Sequence, residues 1–212
     1  MSRLIIISNR LPVSIARQKG KFIYSESVGG VATGIASLSE PKERLWFGWP
    51  GLPSDRLKSQ EQTQITDELH KKQCHPVFLS NKHIADFYSG FSNKTIWPLF
   101  HYFTEFTVFD ENYWKSYKTV NQLFCDEIVP QVTEDDIIWV HDYQLMLLPQ
   151  MIRQRLPEAQ IGFFLHIPFP SFELIRNLPW RREILEGVLG ADLIGFHEYD
   201  YVRVNGGREM KR

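Results

Sequence analysis

Ile137-Ile138-Trp139-Val140 followed by His141-Asp142, and Ile161-Gly162-Phe163-Phe164-Leu165 followed by His166, decide the fold. Each is a short apolar run, rich in β-branched and aromatic residues, that stops at an ionisable group. Runs of this length between helix-forming segments read as strands of a parallel sheet, buried on both faces. The chain start repeats the pattern, because Leu4-Ile5-Ile6-Ile7 ends in Ser8-Asn9-Arg10. In open α/β sheets, ligands bind just beyond the carboxyl ends of the strands. Three strands therefore bring Arg10, His141-Asp142 and His166 to one edge of one sheet, which marks that edge as a candidate active site.

Outward from these runs, the pattern predicts an α/β domain: a Rossmann-like, mostly parallel sheet with helices on both faces. Val13–Ala16 and Phe22–Ser25 read as a hairpin. Val28-Gly29-Gly30-Val31-Ala32-Thr33-Gly34 opens a helix that reaches about Leu38. Leu45-Trp46-Phe47-Gly48-Trp49 is a buried strand, stopped by Pro50-Gly51. Ser54 to Gln64 is polar and reads as a surface loop or an irregular helix. Pro76–Leu79 is a strand, Lys82–Tyr88 a short helix and Gly90–Leu99 an aromatic-rich loop. Glu111 to about Val129 is a long amphipathic helix with Tyr113, Tyr117, Val120, Phe124 and Ile128 on one face. Helices follow over Gln144–Arg155, Phe172–Arg176 and Trp180–Leu189, and Asp192–Phe196 is the last strand.

Composition narrows the function classes. The chain has 212 residues, 43% of them hydrophobic, which is enough for a substantial core in one large domain. Its net charge of −1 argues against a nucleic-acid footprint. No apolar run approaches membrane-spanning length, and no leader pattern precedes the first strand. Cys74 and Cys125 lie far apart without Cys-x-x-Cys spacing, so neither a disulfide framework nor a zinc site is expected and a reducing cytoplasm is.

Several residues carry two readings at this stage. Gly29-Gly30 before a helix either offers bare N–H groups to an anion or simply makes a tight turn. Arg10 is an anion clamp or a surface ion pair. Asp142 accepts protons from sugar hydroxyls, caps the following helix, or does both. His166 contacts a ligand or is a satisfied core histidine. Tyr88, Trp97 and the run Phe100-His101-Tyr102-Phe103 form a sugar-packing aromatic surface or a small hydrophobic core under a loop.

Taken together, the motifs resemble one family closely. They are Leu4-Ile5-Ile6-Ile7-Ser8-Asn9-Arg10-Leu11-Pro12, Val28-Gly29-Gly30-Val31-Ala32-Thr33-Gly34, Trp46-Phe47-Gly48-Trp49-Pro50-Gly51, the stretch from Tyr88 to His101, Trp139-Val140-His141-Asp142-Tyr143-Gln144-Leu145, Phe164-Leu165-His166-Ile167-Pro168-Phe169-Pro170-Ser171 and Asp192-Leu193-Ile194-Gly195-Phe196-His197. This text resembles the trehalose-6-phosphate synthases, retaining GT-B glycosyltransferases, over residues 3 to about 203. The resemblance implies transfer of glucose from UDP-glucose, or another nucleotide-glucose donor, to glucose 6-phosphate, without metal or other cofactor. It implies that Arg10, Tyr88 and Trp97 contact the acceptor phosphate, that Asp142 and His166 contact the sugars at the reacting centre, and that the Gly30 N–H faces the donor diphosphate. It also implies that the leaving phosphate departs from the face the acceptor attacks and helps to deprotonate it.

The resemblance further divides the chain into an acceptor-binding domain over 1–203 and an atypical tail over 204–212, with the family's nucleotide-sugar domain absent. The chain end is then either an ordinary frayed terminus or the mark of a truncated or frameshifted larger protein. Without the second domain's Arg and Lys, the chain alone is expected to be inactive and prone to self-association. Two alternatives stand beside this reading: a related transferase with another acceptor, and a non-catalytic module that binds a sugar phosphate.

Overall fold

The computed structural model describes residues 2–27 and 43–197. The glycine-rich helix start with Gly30, and the segment beyond His197, lie outside the described residues.

The core of the fold is a six-stranded sheet in which every pairing is parallel. Its strands are β1 (Leu4–Arg10), β4 (Arg44–Trp49), β5 (Cys74–Pro76), β6 (Ile137–His141), β7 (Gln160–Leu165) and β8 (Leu193–Phe196). The order across the sheet is β5-β4-β1-β6-β7-β8. From β1 the chain thus builds outward in one direction through β4 and β5, then returns and builds in the other through β6, β7 and β8. The crevice between β1 and β6 is the topological switch point, where such sheets bind ligands. β2 (Val13–Gln18) and β3 (Lys21–Glu26) form a separate antiparallel hairpin.

Burial on both faces explains the unbroken apolar runs. One face sends Ile5, Ile7, Phe47, Ile138, Val140, Ile161, Phe163 and Leu165 into the main core. Helical segments supply the rest of that core: 81–100 (α2), Glu111–Ile128 (α3), Leu148–Arg155 (α4), the short Phe172–Ile175 (α5) and Arg181–Val188 (α6). On the opposite face Leu4 and Ile6 meet Trp46 and Trp139. There α1 (Ser59–His70) adds Ile65 and Leu69 to a cluster with Leu11, Val13, Ile15 and Cys74.

The structure corrects four local expectations. Residues 59–70 form a regular helix, started where the Glu61 carboxylate accepts the Lys58 N–H at 2.9 Å. Only Ile65 and Leu69 of this helix are buried, too few to leave a visible period. Residues 90–99 are helical as well, continuing from residue 81 through wide turns in which the Trp97 N–H reaches back five residues to Ser92 O. Gly90 is no helix breaker here. A Cβ at that position would stand 2.7 Å from the Tyr113 ring, so glycine lets α2 close on α3. β5 spans Cys74–Pro76 rather than starting at Pro76, with Cys74, His75 and Pro76 paired to Trp46, Phe47 and Gly48 of β4. Finally, α4 starts at Leu148 rather than near Gln144, because residues 142–146 are pinned by the buried Tyr117. Its hydroxyl donates to Tyr143 O at 2.8 Å and accepts the Met146 N–H at 3.0 Å.

Asp110 caps α3, accepting the N–H groups of Asn112 at 2.7 Å and Tyr113 at 3.2 Å. Of the expected face of α3, Tyr117, Val120, Phe124 and Ile128 are buried and Tyr113 is partly buried, while Trp114, Ser116, Asn121 and Cys125 are buried as well.

Candidate active site

The site is built at the carboxyl ends of β1, β6, β7 and β8. β1 shifts register between Ile7 and Arg10, a local irregularity that re-aims the strand end. Gly48 makes this possible, since a Cβ there would lie 2.8 Å from the Arg10 and Leu11 backbone. Arg10 emerges exposed, its guanidinium 4.8 Å from the centroid of the Trp49 ring and beside Gly51, whose lack of a side chain leaves room for it. Among the described residues no carboxylate pairs with Arg10. A cation held on an aromatic face without a counter-ion suits an incoming anion.

Asp142 ends β6. Its backbone has φ 77° and ψ 169°, a region that only glycine enters freely, and such strain gathers at functional sites. Its N–H donates to Phe164 O at 2.8 Å, and its carboxylate accepts the His166 N–H at 3.2 Å. Burial raises its pKa to about 6, despite the His166 and Tyr143 N–H groups and nearby His197 and His101, all of which favour the charged form. The group is therefore largely ionised at neutral pH and close enough to its pKa to exchange a proton.

His141, His166 and His197 stand on one face of the sheet at adjacent strand ends, with His166 and His197 two residues beyond the partners of His141. His141 pairs with Phe164, and Phe164 with Gly195, so residues 141, 166 and 197 share a face of the sheet. His141 Nδ1 lies 3.1 Å from His166 Nε2, and His166 Nδ1 lies 3.3 Å from His197 Nε2. Burial, reinforced by the neighbouring ring in each case, lowers His141 to about 3 and His166 to about 4, so both are neutral at pH 7.

The helical run α2 forms a second wall. The Tyr143 hydroxyl donates to Asn93 Oδ1 at 3.0 Å, and burial raises its pKa, with Asp142 and Tyr88 close enough to raise it further. Trp97 is 39% exposed, enough to offer a ring face, and stacks on His101 at 4.1 Å between centroids. His101 Nδ1 lies 2.7 Å from Trp97 O, so that nitrogen carries the proton. The fold thus groups Asp142, His166 and the Tyr88–Tyr143 pair. Arg10 stands on the adjacent strand, and no hydrogen bond, ion pair or ring contact joins it to Tyr88 or Trp97. Sequence reasoning gave no role to Asn93, Tyr143 or His197. The last of these was detectable, since Asp192–Phe196 ends in a histidine just as the two central runs do. No group of acidic, His or Cys side chains among the described residues could hold a metal ion.

Comparison with known proteins matches this arrangement to one family. The sequence model described as Glycosyltransferase family 20 matches residues 2–204. The UDP-forming alpha,alpha-trehalose-phosphate synthase of Candida albicans is 52% identical over 208 residues, covering 95% of this chain and 43% of its own length. Among solved structures, the E. coli protein bound with UDP-2-fluoro glucose superposes with a TM-score of 0.77 at 32% identity, covering 96% of this chain and 41% of that one. The alpha,alpha-trehalose-phosphate synthase of Burkholderia xenovorans in complex with glucose-6-phosphate gives 0.74 at 29% identity, covering 96% and 42%. The chain spans about two-fifths of the length of these relatives. A family match over nearly the whole chain, on a parallel sheet with the same fold as solved synthases, shows that this chain belongs to glycosyltransferase family 20.

Proposed function

We propose that this chain is the acceptor-binding part of a trehalose-6-phosphate synthase, and that the edge carrying Arg10, Asp142 and His166 receives glucose 6-phosphate. The observation that carries this reading is Arg10, an exposed guanidinium without a carboxylate partner among the described residues, at the switch point of the sheet and next to a strained and half-buried Asp142. In the whole protein, the bond from donor C1 to the diphosphate oxygen breaks and a bond from C1 to acceptor O1 forms. The acceptor proton leaves on the released UDP phosphate. Here Arg10, with Tyr88 and Trp97, binds the acceptor phosphate. Asp142 accepts hydrogen bonds from sugar hydroxyls, and His166 orients a sugar at the reacting centre. The Gly30 N–H faces the donor diphosphate.

The relatives are more than twice as long as this chain, and in the family reading the diphosphate is neutralised by Arg and Lys of a second domain. A diphosphate whose charge develops in water gains little from each contact. Residues 1–212 alone should therefore make no detectable trehalose 6-phosphate from UDP-glucose and glucose 6-phosphate. Exposed Phe106, Phe172 and Leu193 favour self-association of the isolated chain. A reducing cytoplasm suits it, since Cys74 and Cys125 are both buried free thiols, and no described helix is long and apolar enough to cross a membrane.

The test is calorimetry with glucose and glucose 6-phosphate on the chain and on Arg10→Ala. Loss of one charged hydrogen-bonding partner costs roughly 1.5–3 kcal/mol, so Arg10→Ala should weaken glucose 6-phosphate binding about tenfold or more. Equal affinity for the two sugars would remove the phosphate role.

A further inference from the structure

Three imidazoles in a row, with His141 and His166 neutral, can order their protons in two ways. In one, every Nδ1 carries the proton, so that His141 donates to His166 and His166 donates to His197. In the other, every Nε2 carries it and the chain runs inward. The two differ at the buried end. His141 is 2% exposed, and its Nε2 has no partner among the described residues. The inward order would place an N–H there with nothing to accept it, whereas the outward order leaves only a bare lone pair. Buried N–H groups without a partner are rarer and costlier than under-used acceptors.

We propose that His141 is a positioning residue that sets the tautomer of His166, fixing the proton on His166 Nδ1 and so presenting that nitrogen as a hydrogen-bond donor at the strand ends. The inner contact is the shorter, at 3.1 Å, and lies against the buried His141. The outer contact is longer, at 3.3 Å, and its partner His197 is exposed. His197 satisfies the His166 Nδ1–H in the unliganded protein and is the partner that a ligand oxygen can replace. The complement of this donor is a hydroxyl or phosphate oxygen rather than an ammonium or another N–H donor. The inference deepens the sugar-phosphate reading by giving His166 a defined polarity, and it rests on that reading for the identity of the ligand.

The experiment is long-range ¹H–¹⁵N correlation of the imidazole rings in ¹⁵N-labelled protein near pH 7, without ligand. The chain has only seven histidines, so single His→Gln variants assign them. The expected result is the Nδ1–H form for both His141 and His166. An Nε2–H signal from either ring overturns the proposal. His141→Gln keeps an N–H donor toward His166 Nε2 and should preserve the His166 tautomer. His141→Phe removes the donor and should return His166 to the Nε2–H form, and an unchanged His166 there would show that His141 sets nothing. If His141→Phe does not fold, the wild-type spectrum still decides. These signals do not depend on binding, so loss of glucose 6-phosphate affinity and a wrong tautomer are separate failures.

Discussion

The strand β6 is flanked by two aspartates that the fold treats in opposite ways. Asp136, at its start, is buried, yet its carboxylate accepts Arg3 Nε at 3.0 Å and Arg3 Nη2 at 2.6 Å, as well as the Thr133 N–H at 2.8 Å. Burial alone would raise its pKa, but these hydrogen bonds outweigh it and hold the group at about 2. Asp142, at the end of the same strand, has no cationic partner in hydrogen-bond contact among the described residues, sits on strained backbone and is raised to about 6. One end of the sheet satisfies its charge and the other leaves its charge under-satisfied. The contrast separates a carboxylate that stabilises the fold from one whose charge the fold leaves costly, as the proposed ligand role requires.

Substitutions at these two positions sharpen the contrast. The largest effect is expected at the closed end. Asp136→Ala leaves Arg3 and the Thr133 N–H without their acceptor and should destabilise by about 2–4 kcal/mol, read as a lower urea midpoint. At the open end, Asp142→Gly removes both the backbone strain and the raised carboxylate. It should stabilise by about 1–3 kcal/mol and weaken sugar-phosphate binding.

The pH dependence has opposite signs at the two ends. The folded-state pKa of Asp136 is depressed, so its contribution is present above the ordinary carboxylate value near 4 and is lost as pH falls from about 4 to 2. For Asp142 the folded-state pKa is raised, so the unfolded chain releases its proton first. Its contribution is neutral below about 4 and becomes destabilising as pH rises from about 4 to 6. Urea unfolding of Asp136→Asn and Asp142→Asn against wild type across pH 2 to 8 should show the two difference curves moving in these separate windows. The smallest effect is expected far from both ends: Lys82→Ala removes an exposed pair with Asp86 and should change stability by less than about 1 kcal/mol.

Much of the fold and of the site's position was legible in the sequence. Strand ends at Arg10, Asp142 and His166 followed from apolar runs that stop at ionisable groups, and the parallel order followed from alternating strands and helices. The histidine row was not legible, because residues 141, 166 and 197 align only when the register of three strands is known. The helical wall over 81–100 was hidden by Gly90 and Pro98, which read as loop residues until α3 is seen packing against the glycine. Nor could the sequence distinguish the two aspartates of β6. Asp136 depends on Arg3, more than a hundred residues earlier in the chain, and the raised pKa of Asp142 depends on burial by the turn and helix around it.

The most direct test of a site maintained at the expense of stability is the urea unfolding free energy of Asp142→Asn against wild type at pH 7 and at pH 3.5. Asparagine keeps the size of the side chain and an acceptor for the His166 N–H while removing the charge. The account predicts a variant that is more stable than wild type at pH 7 and nearly equal to it at pH 3.5, where Asp142 is already protonated. A variant less stable than wild type at pH 7, as Asp136→Asn should be, would show that Asp142 is a structural carboxylate and would contradict the account.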